Sequence, residues 1–161
     1  MIMAVRNFNE MGDNLIELVN RLLASQDLCK LLEYTDPNPL KHSDLNPKTL
    51  LHKRIKILPK VDPQEDTKST LVLLFNNGYT NPANNEFKKL NLLIYVYVPL
   101  DNWIINDSQL RPFAIMSEIQ KCLDNKQIKG LGRLKLEEFS TDLITDEMAA
   151  YRMNFSLEVF N

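Results

Sequence analysis

Residues 89–98 read Lys-Leu-Asn-Leu-Leu-Ile-Tyr-Val-Tyr-Val, and no other stretch narrows the possible folds of this chain so far. β-branched and aromatic residues fit a pleated surface, and side chains alternate between the faces of a strand. Leu92, Ile94, Val96 and Val98 therefore share one face, and Leu93, Tyr95 and Tyr97 share the other. A strand apolar on both sides belongs in the interior of a sheet, covered on each face.

The last part of the chain, residues 151–159, has the cleanest period-two pattern and predicts a strand with one core face and one wet face. Shorter strands are expected at 54–58, ended by Pro59, at 69–75, and from Gly132 through alternating Leu134, Leu136 and Glu138. Helical spacing appears in Leu15, Leu18, Val19, Leu22 and Leu23 from about Asp13. A second short helix, capped around Ser25, carries Leu28, Leu31 and Leu32 and stops before Asp36-Pro37-Asn38-Pro39. A third, capped by Asp107 or Ser108, tolerates Pro112 in its first turn and buries Ile115, Met116, Ile119, Cys122 and Leu123.

Two segments read as loops between strands: the charged residues 60–68 and the Asn-rich residues 76–85, the latter long for a tight hairpin. Residues 140–147 read as a polar loop. The expected fold is α+β, a mainly antiparallel twisted sheet of about five strands with two or three helices packed on it. With 161 residues and no linker-like composition, residues 1–161 are expected to form one domain.

Chemistry is sparse. Gly130 and Gly132 lie after a helix and before a strand, the reverse of a phosphate-binding fingerprint, so they punctuate. His42 and His52 have no metal-ligand spacing, and alternation sends Glu137 and Glu138 to opposite faces, poor geometry for an acid/base pair. Asp66-Thr67-Lys68, with Asp62 or Asp36, has the outline of a metal-dependent nuclease motif, but so short a pattern arises easily in a charged loop. No catalytic residue, metal site or cofactor is expected.

The formal charge of -2 is spread along the chain without a basic stripe, which argues against specific nucleic-acid binding. Cys29 and Cys122 fit buried free thiols of a reducing compartment, and the longest apolar run is too short to span a bilayer, so a soluble protein without export signal is expected. Trp103 reads as a core anchor at the end of the long strand, with an aromatic contact for a partner as the less favoured reading.

Leu28-Cys29-Lys30-Leu31-Leu32-Glu33-Tyr34, the strand ending in Leu58-Pro59, the long strand leading to Trp103, Leu110-Arg111-Pro112, Ile128-Lys129-Gly130-Leu131-Gly132 and the closing strand together resemble tail terminator and head-tail joining proteins of tailed bacteriophages, particularly those of Gram-positive hosts. The resemblance covers nearly the whole chain and includes no catalytic motif.

It implies a non-enzymatic virion protein, assembled in the host cytoplasm, that forms a homo-oligomeric ring. A hexamer is favoured. Such a ring stops tail-tube growth, meets tail-tube and neck or connector proteins, and lets DNA pass through without specific recognition or any membrane contact. Another neck ring, a monomeric adaptor and, less favoured, the nuclease are the alternatives. A closing ring needs one patch complementary to another on the next copy, and exposed loops supply such patches. The candidate interface residues are Lys60, Asp62, Glu65, Asp66 and Lys68 in the charged loop and Asn77, Tyr79 and Asn84 in the Asn-rich loop. The plainer reading of both segments is a solvated loop.

Overall fold

The computed structural model describes residues 7–57, 67–80, 82–83, 87–128 and 132–158. Two helices come first. In α1 (Phe8–Leu23) the Asn7 side chain accepts the Glu10 N–H at 3.0 Å, so the helix begins earlier than the apolar spacing alone indicates. In α2 (Gln26–Glu33) Ser25 Oγ accepts the Leu28 N–H at 3.2 Å, the expected cap. Single 3-10 turns at Pro39–Lys41 and Pro47–Leu50, each opened by proline, carry the chain to β1 (Ile55–Lys56).

The next strands are β2 (Thr70–Thr80) and β3 (Phe87–Pro99), followed by a small hairpin of β4 (Ile104–Ile105) and β5 (Gln109–Leu110). Helix α3 (Arg111–Leu123) then leads to β6 (Gln127–Ile128), β7 (Gly132–Ile144) and β8 (Met148–Glu158). The main sheet has the order β1-β2-β3-β8-β7-β6. Its pairings are antiparallel except β1 with β2. This is the expected α+β class.

All three helices lie on one side. Leu18, Val19 and Leu22 of α1, Leu28, Leu31 and Leu32 of α2, and Ile115, Ile119 and Leu123 of α3 form one core cluster with Leu71, Leu73, Leu92, Ile94, Val96, Val98, Leu134, Phe155 and Leu157. Strand β3 is central, as its composition requires, but only one of its faces meets helices. On the other face Tyr95 and Tyr97 are half-buried and stack on each other with ring centroids 6.2 Å apart. The expected cover on the second face is therefore partial: Leu93, Val72 and Ala150 on that face are buried, the tyrosines only half so.

Four local expectations are corrected. Strand β2 runs through Thr80, pairing Asn77 with Asn91 and Tyr79 with Lys89, so Asn77 and Tyr79 sit on a long hairpin rather than in a loop. Backbone pairing across the hairpin outweighs the turn preference of Asn and Gly. Asp107 and Ser108 do not cap α3, because Asn106 and Asp107, with φ of 50° and 68°, make the left-handed turn of the β4–β5 hairpin.

Strand β7 continues through residues expected to be a loop. Register shifts at Leu136/Glu138 and Thr141/Leu143 insert extra residues, which hide the alternation on which a strand is recognised. The first of these bulges also overturns the facing of Glu137 and Glu138: Ser156 Oγ donates to Glu137 Oε1 at 2.7 Å and Asn154 Nδ2 to Glu138 Oε1 at 3.5 Å, so both carboxylates lie on the face away from the helices. Gly132 has φ of 103°, the backbone role expected for a glycine opening this strand; Gly130 lies outside the described residues.

Candidate functional site

Three surfaces carry side chains with something to offer a partner. The first is a cleft of about 500 Å³ beside β1, lined by Glu33, Thr49, His52, Lys53, Arg54, Lys56, Thr67 and Lys68. Its position follows from short-range structure: the turn at residues 52–54, with His52 at φ 63°, bends the chain into β1, and Leu71 N–H donates to Arg54 O at 2.7 Å. Arg54 also donates to Thr70 Oγ1, and Lys68 forms an ion pair with Glu33. Four Lys or Arg side chains thus converge where the linear sequence shows no basic stripe. Residues 48–56 supply three of them without an intervening acid, and the fold brings Lys68 to join them.

The second surface is apolar. Phe113 of α3, Phe139 of β7 and Tyr151 of β8 gather with Trp103, the rings of Phe113, Phe139 and Trp103 lying 5.3, 6.4 and 6.5 Å from that of Tyr151. Trp103 packs against the core, as expected, but Phe113 is 43% and Phe139 58% exposed, and Ile104, next to Trp103 in the chain, and Ile144, farther along β7, are 60% and 73% exposed. Together these side chains leave an unusual amount of large apolar surface exposed. A shallow groove continues from it between α2 and α3, past Leu110 and Ala114 to Leu40.

The third surface is the reverse side of β7. Glu137, Glu138 and Asp142 are exposed there, and Asp146 and Glu147 follow in the turn to β8. Asp142 and burial both push the Tyr97 hydroxyl above its ordinary pKa, burial being the larger effect. The pairing of β6 with β7 ends at Arg133, the chain at Asn125–Lys126 then bonds both main-chain groups of Leu134, and Asp124 Oδ1 accepts the Leu136 N–H, so β7 becomes the sheet's open border beyond Leu136.

Of the expected interface residues, Lys68 lines the basic cleft, Tyr79 is exposed on the hairpin, and Asn77 hydrogen-bonds Asn91 across it. Lys60, Asp62, Glu65, Asp66 and Asn84 lie outside the described residues, so the two loops are represented only in part. Of the nuclease outline only Asp36, Thr67 and Lys68 are among the described residues. Lys68 is engaged by Glu33, while Asp36 accepts from His42 at 2.6 Å and from the Asn38 N–H at 2.9 Å. Desolvation opposes ionisation of Asp36, but these bonds outweigh it and hold the carboxyl below its ordinary range. Among the described residues no group of three His, Cys, Asp or Glu is placed to hold a metal ion. No described helix is long and apolar enough to cross a membrane.

Sequence reasoning missed Arg111. Its side chain is fully buried and donates to four main-chain carbonyls: Asn102 through Nε, Leu31 and Tyr34 through Nη1, and Asp36 through Nη2, at 2.7–2.8 Å. The signal was available, since an arginine opening a helix opposes the helix dipole and calls for another reason to be there. Here the reason is the carboxyl end of α2, whose last carbonyls it satisfies. Cys29 is also buried, and desolvation pushes its thiol up to about 11, so it is an inert core residue.

The fold and these surfaces define an α+β protein with an apolar border, an acidic strand edge and an open basic cleft. The chain belongs to the YomW family, whose model matches residues 25–157. That name is of the Bacillus-prophage type and points to a phage origin. No curated protein matches the chain.

Proposed function

We propose that this protein is a structural component of a phage virion, a subunit of the ring that closes the head-proximal end of the tail tube and offers the head-joining surface. The observation that carries the reading is the apolar border of Phe139, Ile144, Ile104 and Phe113, too extensive for a protein that works alone. A phage origin for the family and the resemblance across the chain to tail terminators support it. The subunit acts by binding: copies of itself in a ring, six being favoured, then tail-tube protein on one side and neck or connector proteins on the other. DNA passes through the ring without base-specific contacts, and no cofactor or catalysis is required.

Mass photometry over rising protein concentration, with negative-stain images of the largest species and of mixtures with tail-tube protein, tests this. A closed ring, free or seated on tube ends, is the expected result. Protein that forms no ring alone and leaves tube length unchanged overturns the proposal.

A further inference from the structure

We infer that, if the ring reading is right, adjacent copies meet head to tail through charge: the basic cleft beside β1 of one copy receives the acidic, helix-free side of β7 of the next. The two patches sit on opposite borders of one sheet, since β1 begins the order β1-β2-β3-β8-β7-β6 and β7 is open beyond Leu136. Four strand spacings of about 4.8 Å separate them. No subunit can satisfy its own pair, and a contact between unlike borders is heterologous, the kind that closes rings.

The charges are segregated rather than scattered. From Leu136 to Glu147 the chain carries Glu137, Glu138, Asp142, Asp146 and Glu147 and no Lys or Arg. From Asn46 to Ile57 it carries Lys48, Lys53, Arg54 and Lys56 and no acid. Among the described residues, none of those five acids, nor Lys53 or Lys56, takes part in an ion pair. Among the described residues, Glu137 and Glu138 bond only the uncharged Ser156 and Asn154, both on the face away from the helices. Two cations share that face without pairing to these acids among the described residues: Arg152, opposite Ser140, and Lys135, opposite the Ser156 that Glu137 bonds; the five acids outnumber them.

A second copy suits the cleft better than nucleic acid does. Glu33 sits within it, and the acidic border of the same molecule repels a phosphate backbone. The carboxylate-bearing edge carries the complementary charge in every copy, at equal concentration, and complementary potentials fix register as well as encounter.

The test uses two full-length variants whose circular dichroism first shows them folded. Lys53→Glu with Lys56→Glu reverses the cleft and keeps the acidic border; Glu138→Lys with Asp142→Lys reverses the border and keeps the cleft. At about 50 mM salt, where exposed charges are weakly screened, each alone should associate at least about tenfold more weakly than the unaltered protein. Mixed, they offer two matched contacts, native cleft with native border and reversed cleft with reversed border, so the mixture should regain the assembly that neither variant shows alone, as should the fourfold variant. Variants that assemble like the unaltered protein, or a mixture that associates no better than its separate components, overturn this contact. A ring unaffected by the variants keeps the proposed function and removes this interface; association restored by mixing, without any ring in the unaltered protein, does the reverse.

Discussion

Arg111 ties the carboxyl end of α2 to the turn that precedes β4. A buried guanidinium is stable only when its donors are matched, and here the carbonyls of Leu31, Tyr34, Asp36 and Asn102 match it. Burial lowers its pKa and the Asp36 carboxylate pulls it back up, so it remains a cation at neutral pH. Arg111→Met should destabilise the protein by about 3 kcal/mol, read as a shift in the urea midpoint, because carbonyls lose their donors while the helix keeps its length. Arg111→Lys should recover only part of that, since one ammonium cannot reproduce the fork. Residues of this kind are hard to see in sequence: the partners are main-chain oxygens, which carry no side-chain signature. Ser25, by contrast, was legible as a cap because its partner lies three residues away.

At the scale of elements, legibility followed regularity. The long strand β3, the amphipathic helices and the closing strand β8 show their periods in the residues themselves. The second half of β2 and of β7 do not. In β2, Asn77, Gly78 and Tyr79 have turn composition but are held extended by pairing with Asn91, Leu90 and Lys89. Gly78 is needed there for space: a Cβ would stand 2.5 Å from Leu90 Cδ2 and 2.8 Å from the Lys89 carbonyl oxygen. The leucine can rotate, but the backbone oxygen cannot easily withdraw. Gly78→Ala should therefore destabilise the hairpin by about 1–2 kcal/mol, visible as faster amide exchange at Leu90 and its neighbours than in the unaltered protein.

For the whole molecule, the sum of charges says little and their placement says much. A net charge of -2 conceals a basic cleft at one border and a run of acids at the other, because only the sheet order determines which segments face outward together. The apolar border was equally hidden: Phe113 and Phe139 come from distant segments, and Phe139 fell where two extra residues obscure the strand period. Phe139→Ser combined with Ile144→Ser should leave the thermal midpoint nearly unchanged, a stability effect within about 0.5 kcal/mol, since both side chains are largely exposed already. The same pair should weaken assembly measured by mass photometry; unchanged assembly would remove this border from the interface.

The two extra residues of β7 have a further consequence for how the chain behaves when crowded. A straight, uncharged strand margin is a template on which identical chains add backbone to backbone without end, the route to fibrils. Here the rhythm of outward amides and carbonyls is broken near Glu137 and again near Asp142, with carboxylates at both breaks. A neighbour can come alongside and be recognised by its side chains, but it cannot zip onto the main chain, so the edge favours growth that stops.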